Sequence, residues 1–327
     1  MMRKFVYCIL CCLSLTACKW NRLDMLLDQN GVEIARYDHL QFEYATSNSV
    51  TALQKMNTEY PQATKLLIED VLGIGRVNDP QINEKLLVYL SDTTIQHLLL
   101  DVEEKFRDIR WIENDLDKGL SYLKKELPDL VVPQFYAQIS ALNQSVVVRD
   151  SLVGFSLDKY MGKDYALYKR FYYDYQTKYM SPDRIVPDCL TFYLISEYPM
   201  TLNRRRTLLD VMLYRGRFAW LLTKALEYDS IEDMMGYDAE EKKWCQKNKL
   251  KVWQFMQDNH HLDMSDPMII RSYMGMIPYY TIMDENAPQG VGLWIGAQLV
   301  EEYMREHKEV SIQELMDLTN YRKIVMD

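Results

Sequence analysis

The hydrophobic period changes twice along this chain, and those changes limit its fold more than any other feature. In "SVTALQKMNTEYPQATKLLIEDVLGIG" (49–75), "PQINEKLLVYLSD" (80–92) and "TTIQHLLLDVEEKFRDIRWIENDLDKGLSYLKKELP" (93–128) the apolar residues recur at three and four spacings with charges between them. That spacing gathers them on one face of a helix. Asp92 and Thr93 stand where the third of these stretches needs a cap. Between 132 and 160 the period falls to two: "VPQFYAQIS" (132–140), "SVVVRDS" (145–151) and "LVGFSLDKY" (152–160) read as neighbouring strands, with "ALNQ" turning between the first two. An earlier strand is predicted in "VEIARYDHLQFEY" (32–44). From Tyr165 the helical period returns, broken by Pro182, Pro187, Pro199, Pro267, Pro278 and Pro288. The pattern predicts a single α+β domain over 31–327, mainly helical with a small mid-chain sheet.

The N-terminus is of another kind. "MMRKFVYCILCCLSLTACKW" places Arg3 and Lys4 ahead of an apolar run from Phe5 to Leu15, the layout of a secretory signal and too short to span a membrane as a mature helix. Leu15-Thr16-Ala17-Cys18 is the pattern read by the lipoprotein signal peptidase, so residues 1–17 are expected to be removed and Cys18 to carry acyl chains. Each buried methylene contributes about 0.8 kcal/mol, enough in three chains to hold a protein on a membrane. Residues 18–30 then form a polar tether. Lys19-Trp20-Asn21-Arg22 carries no acidic cluster after the lipid site, which points to the periplasmic face of the outer membrane.

Processing leaves Cys18, Cys189 and Cys245, too few for a disulfide scaffold; the last two could pair or remain buried thiols. The chain has 47 acidic and 38 basic residues, a net charge of −9 that removal of Arg3 and Lys4 makes more negative still. Such a surface disfavours nucleic acid as a partner.

Three stretches carry a family likeness: "GFSLDKYMGKDYALYKRFY" (154–172), "GYDAEEKKWCQKNKLKVW" (236–253) and "APQGVGLWIGAQLVEEYM" (287–304), with Gly292, Trp294 and Gly296 opening a helix. Together with the lipobox they resemble the gliding motility-associated lipoprotein GldB family over nearly the whole mature chain. The resemblance implies a lipid-anchored cell-envelope protein with envelope protein partners, tied to motility and its supporting machinery, with no established enzyme activity and no cofactor.

That family is in turn distantly similar to zinc peptidases of the zincin type, which directs attention to "DCLTFYLISEYPMTLNRRRTLLDVMLYRGRFA" (188–219). Zincins place two histidines four apart on one helix around a glutamate base, with a third ligand on a later helix. Aligned on Gly216 and Ala219, the metal-ligand and base positions are occupied by Cys189, Leu190, Tyr193 and Arg215. No histidine lies between 98 and 259, and a guanidinium cannot ligate zinc. The expectation is a zincin-like helix pair without metal ligands, catalysis or metal, in which Arg215 either pairs with an acid such as Asp188 or Asp210 or anchors a small carboxylate ligand.

Two enzymatic readings compete with a non-catalytic scaffold. Asp158, Asp183, Asp188 and Glu197 could form a carboxylate hydrolase if they converge on a cleft. His260 and His261, with Asp258, Asp263 and Asp266, could bind a divalent ion if the pair sits in a loop. "NRRRT" (203–207) reads as a surface cluster ahead of a helix beginning near Thr207, "GIG" (73–75) as a helix stop, and the tyrosines from Tyr165 to Tyr179 as one helix with some rings exposed.

Overall fold

The structure, a computed structural model, describes residues 31–200, 205–275 and 286–326. The signal segment, Cys18 and the 18–30 tether lie outside the described residues. Helices of nine residues or more are labelled here: α1 (Tyr37–Ser47), α2 (Val50–Thr58), α3 (Ile82–Leu90), α4 (Thr93–Lys105), α5 (Arg110–Glu126), α6 (Ile185–Glu197), α7 (Leu208–Ala225), α8 (Ala239–Asp258) and α9 (Val291–Glu306). Strands β1 (Ile34–Arg36), β2 (Gln134–Gln138), β3 (Val146–Arg149) and β4 (Leu152–Ser156) form one mixed sheet in the order β1-β2-β4-β3. The chain is therefore the mainly helical α+β domain that its periods predict.

The helix starts follow the capping chemistry in the sequence. Asp92 accepts from the amides of Thr94 and Ile95, Ser49 from that of Ala52, and Thr207 with Asp210 forms a reciprocal capping box at the start of α7. Three expectations change in detail. The strand expected over 32–44 stops at Arg36, because Tyr37, Gln41 and Tyr44 bury at helical spacing and pull the following residues into α1. The helix expected over 93–128 divides into α4 and α5, where Phe106 and Ile109 turn into the core. The tyrosine-rich segment from Tyr165 is a run of turns and short helices instead of one helix. There the Tyr168 hydroxyl accepts from the Met161 amide and donates to the Asp158 carbonyl, so the ring is held by the preceding loop instead of by a helical face.

The sheet order also differs from a simple meander. β3 and β4 make an antiparallel hairpin, yet β4 and not β3 lies beside β2, in parallel. Tyr136 on β2 stands opposite Gly154 on β4, and a Cβ at Gly154 would come within 2.2 Å of the tyrosine ring. The glycine leaves the space that the ring fills. One face of the sheet, through Tyr136, joins a smaller core with α1, α2 and α3; the other, through Phe135 and Ala137, joins the main core, which extends from Ile34 to Ile324.

Every residue of α7 except Arg215 and Lys224 is buried. Its closest neighbour is α9, and glycines allow the approach: a Cβ on Gly216 would lie 2.4 Å from the Gly296 carbonyl carbon, and one on Gly296 would lie 2.1 Å from the Met212 oxygen. Backbone meets backbone, so no side-chain rotation could relieve the overlap. Gly296→Ala is expected to destabilise the protein by about 3 kcal/mol or more, the upper range for overpacking. Gly119→Ala, whose Cβ would meet only the mobile ends of Leu190 and Leu226, is expected to cost less. Urea unfolding midpoints of the two variants provide the check.

Candidate functional site

The residues at the metal-ligand and base positions are parts of a packed core. Cys189, Leu190 and Tyr193 on α6 are fully buried. Leu190 packs where α5 comes closest at Gly119, and the Tyr193 hydroxyl donates to the Val131 carbonyl. Burial pushes the Cys189 thiol well above its ordinary value and the Cys245 thiol up to about 12, so neither is poised as a thiolate nucleophile. Both cysteines are free.

Arg215 is half-buried on α7. Desolvation lowers its pKa, while Tyr214 and the Asp188 carboxylate act in the opposite sense. The deeper guanidinium is Arg217, two residues on. It donates to the carbonyls of Met316 at 2.6 Å, Leu315 at 3.3 Å and Tyr198 at 3.4 Å, between the rings of Tyr214, Phe218 and Tyr321. A guanidinium is suited to this place because it stacks on aromatic faces while its edges serve several carbonyls. The signal was present in the sequence: Arg215 and Arg217 lie on nearly opposite sides of a helix that is otherwise apolar, so enclosing the helix must bury one of them.

The candidate carboxylates have separate partners. Asp158 is buried after β4 and accepts from the amides of Ser140 at 2.9 Å and Leu142 at 2.6 Å and from the Ser140 hydroxyl at 3.2 Å. These bonds hold a turn in which Ala141 and Leu142 both take positive φ. Burial raises the Asp158 carboxyl and the amide bonds oppose the rise. Asp188 receives the Tyr160 hydroxyl at 2.9 Å and lies 3.6 Å from the Arg184 guanidinium; burial raises it too, against the pull of that cation. Asp183 accepts from the Ser181 hydroxyl, and Glu197 ends α6 on the surface. What the structure brings together is Tyr160, Asp188 and Arg184, with Arg215 in electrostatic range.

The paired histidines divide in the same way. His260 takes a left-handed conformation, His261 bonds the Tyr273 hydroxyl at 2.7 Å, Asp266 caps the next short helix, and Asp263 pairs with Arg322 at 2.7 Å. A different group, which sequence reading missed, does converge: the Nε2 atom of His39 lies 3.5 Å from Glu103 and 3.9 Å from Asp38. Arg36 already grips Asp38 at 2.7 Å and supplies the positive charge that a cation would bring. Only the fold joins α1 to α4 here, so no local spacing could have announced it.

Fold and site define a mainly helical α+β domain in which α6 and α7 form packed interior, and no helix among the described residues is long and apolar enough to cross a membrane. The family model described as Gliding motility protein GldB matches residues 23–327, and the chain belongs to that family. It is accordingly a gliding-motility-related protein of the cell envelope. No curated protein and no solved structure matches the chain. The likeness of α6 and α7 to zincin helices gains no support from these comparisons.

Arg217→Met is expected to lower stability by about 2 kcal/mol by stripping the carbonyls of Leu315 and Met316 of their donor. Arg215→Met is expected to cost under about 1 kcal/mol. Chemical unfolding separates the two. In native protein neither Cys189 nor Cys245 should react with an aromatic disulfide reagent, and both should react in denaturant.

Proposed function

We propose that this chain is a non-catalytic scaffold or interaction protein, held by acylated Cys18 on the periplasmic face of the outer membrane. The observation that carries the reading is a set of aromatics presented to solvent on a well-anchored segment. Phe171 is 58% and Tyr173 72% exposed, and the Tyr173 ring stacks on that of Tyr175 at 5.9 Å. Beneath them Tyr168 is fully buried, and the Tyr172 hydroxyl receives the Lys159 ammonium at 2.7 Å and donates to the Leu142 carbonyl. Exposed aromatics on a fixed base are what protein interfaces favour, since little side-chain entropy is lost on contact. The packing of Cys189, Leu190 and Tyr193 supports the non-catalytic part of the reading, and the lipobox supports the anchor.

A photo-crosslinking residue at Tyr173 in living cells should capture envelope proteins, whereas one at exposed Lys308 should not; equal yields from both positions would refute the aromatic surface. Cys18→Ser should move the chain from the membrane fraction to the soluble one. Purified protein carrying one tightly held metal per chain, with a hydrolytic activity lost on chelation, would replace the scaffold with an envelope hydrolase.

A further inference from the structure

α8 turns Cys245, Val252 and Met256 into the core. Its opposite side carries Lys243, Lys247 and Lys251, all exposed, at spacings of four that place them in one stripe. The other two lysines of the helix are engaged: Lys242 pairs with Asp233, and Lys249 donates to the Gln298 side chain at 3.1 Å. Among the described residues the three stripe lysines have no ion-pair partner, although like charges four apart on a helix repel. Acids share this side only at its ends, Glu240 in the first turn and Asp258 in the last. Leu250 stands within the stripe and is 81% exposed, more than any other large apolar side chain described. Half-buried Trp244 and Trp253 border the stripe, one on each side by helical geometry.

We infer that this face of α8 rests on an anionic phospholipid surface, with the three ammonium groups among the lipid phosphates and Leu250 beneath them at the acyl-chain boundary. The charge of the chain decides which face can do so. At a net charge of −9 the protein as a whole is repelled by an anionic leaflet, so close approach requires a face where the sign is reversed. Clustered lysines at a membrane surface attract anionic headgroups additively within about a Debye length. Tryptophan rings favour the headgroup level, which suits the two at the border. An acidic protein could also neutralise the lysines, but a leucine projecting from a convex helix would need a pocket shaped to receive it. A fluid leaflet receives it without one.

The inference rests on the membrane location proposed above and adds an orientation to it. Fully extended, the stretch from Cys18 to the first described residue reaches about 45 Å at most. That is close to the roughly 50 Å width of a domain of this size, so an acyl anchor at Cys18 fixes no particular face against the bilayer. The lysine stripe supplies the missing constraint, and it does so through contacts that salt screens.

The test uses the full mature chain with Cys18→Ser, so that no acyl chain contributes, and vesicles of phosphatidylethanolamine with or without phosphatidylglycerol. Flotation should show binding that requires phosphatidylglycerol, weakens with salt, and falls about tenfold or more in the Lys243→Gln, Lys247→Gln, Lys251→Gln chain. The Lys55→Gln, Lys65→Gln, Lys105→Gln chain loses the same charge from exposed lysines elsewhere and should bind like the unsubstituted chain. Unchanged urea midpoints show that both variants are folded. An environment-sensitive dye on Leu250→Cys should shift to the blue on the vesicles, and one on Lys308→Cys should not. Equal loss in the two triple variants, binding indifferent to phosphatidylglycerol, or no binding by the unsubstituted chain would overturn the inference. So would a photo-crosslinker at Leu250 that captures an acidic envelope protein in cells instead of lipid, since the face would then belong to that protein. Because the chain used is unacylated, failure here leaves the Cys18 anchor standing; fractionation of cells carrying Cys18→Ser tests that anchor separately.

Discussion

The close crossing of α7 and α9 is the contact on which the rest of the structure depends. Gly216 and Gly296 let the two backbones approach until no Cβ fits between them, and the dispersion gained along such a seam is large because both surfaces are continuous. Once α9 occupies that side, α6 and α5 close the others, and α7 becomes a central helix with only Arg215 and Lys224 outside the interior. A helix so enclosed has no room for a solvated cleft along its length. The positions at which a zincin would hold its metal are therefore spent on packing.

The same enclosure explains the buried charge. Arg217 cannot reach water, so it must find acceptors inside, and the chain offers carbonyls left unpaired at helix ends: Tyr198 after α6 and the pair Leu315–Met316 in the short helix that follows α9. One guanidinium thus ties two segments to the central helix. Asp158 has a comparable role at the sheet, where its carboxylate gathers the amides of a turn whose backbone takes an unfavourable hand at Ala141 and Leu142. A charge buried in this way is a structural clamp, and its displaced pKa reports desolvation instead of chemistry.

Two surface features among the described residues lie away from this core contact and differ in character. The exposed rings around Phe171 and Tyr173 are apolar and face solvent, whereas a cavity beside β1, lined by Glu33, Glu59 and Asp117, is acidic and lies where the chain arrives from its N-terminal segment.

Much of the fold was legible because the determinants were local. Period, capping residues such as Asp92 and Thr207, and the glycines of "YRGRFA" and "GLWIGAQ" sit within a few residues of the elements they specify, and the family segments were readable for the same reason. The candidate site was less legible. Sequence placed the deep arginine at 215, whereas the rotation of α7 against its neighbours chose 217, and helical period alone cannot say which face will be covered. Strand order behaved likewise: β2 takes β4 instead of the nearer β3, with Tyr136 lying over Gly154 across the pair. The acidic cavity and the His39–Glu103 approach join residues from distant parts of the chain. The sequence alone determined the mainly helical α+β make-up, the capped helix starts at Asp92 and Thr207 and the lack of any histidine between 98 and 259, since these depend on neighbours along the chain; only tertiary structure decided where β1 gives way to α1, where the 93–128 stretch divides and which polar groups are buried together, since that depends on which faces meet.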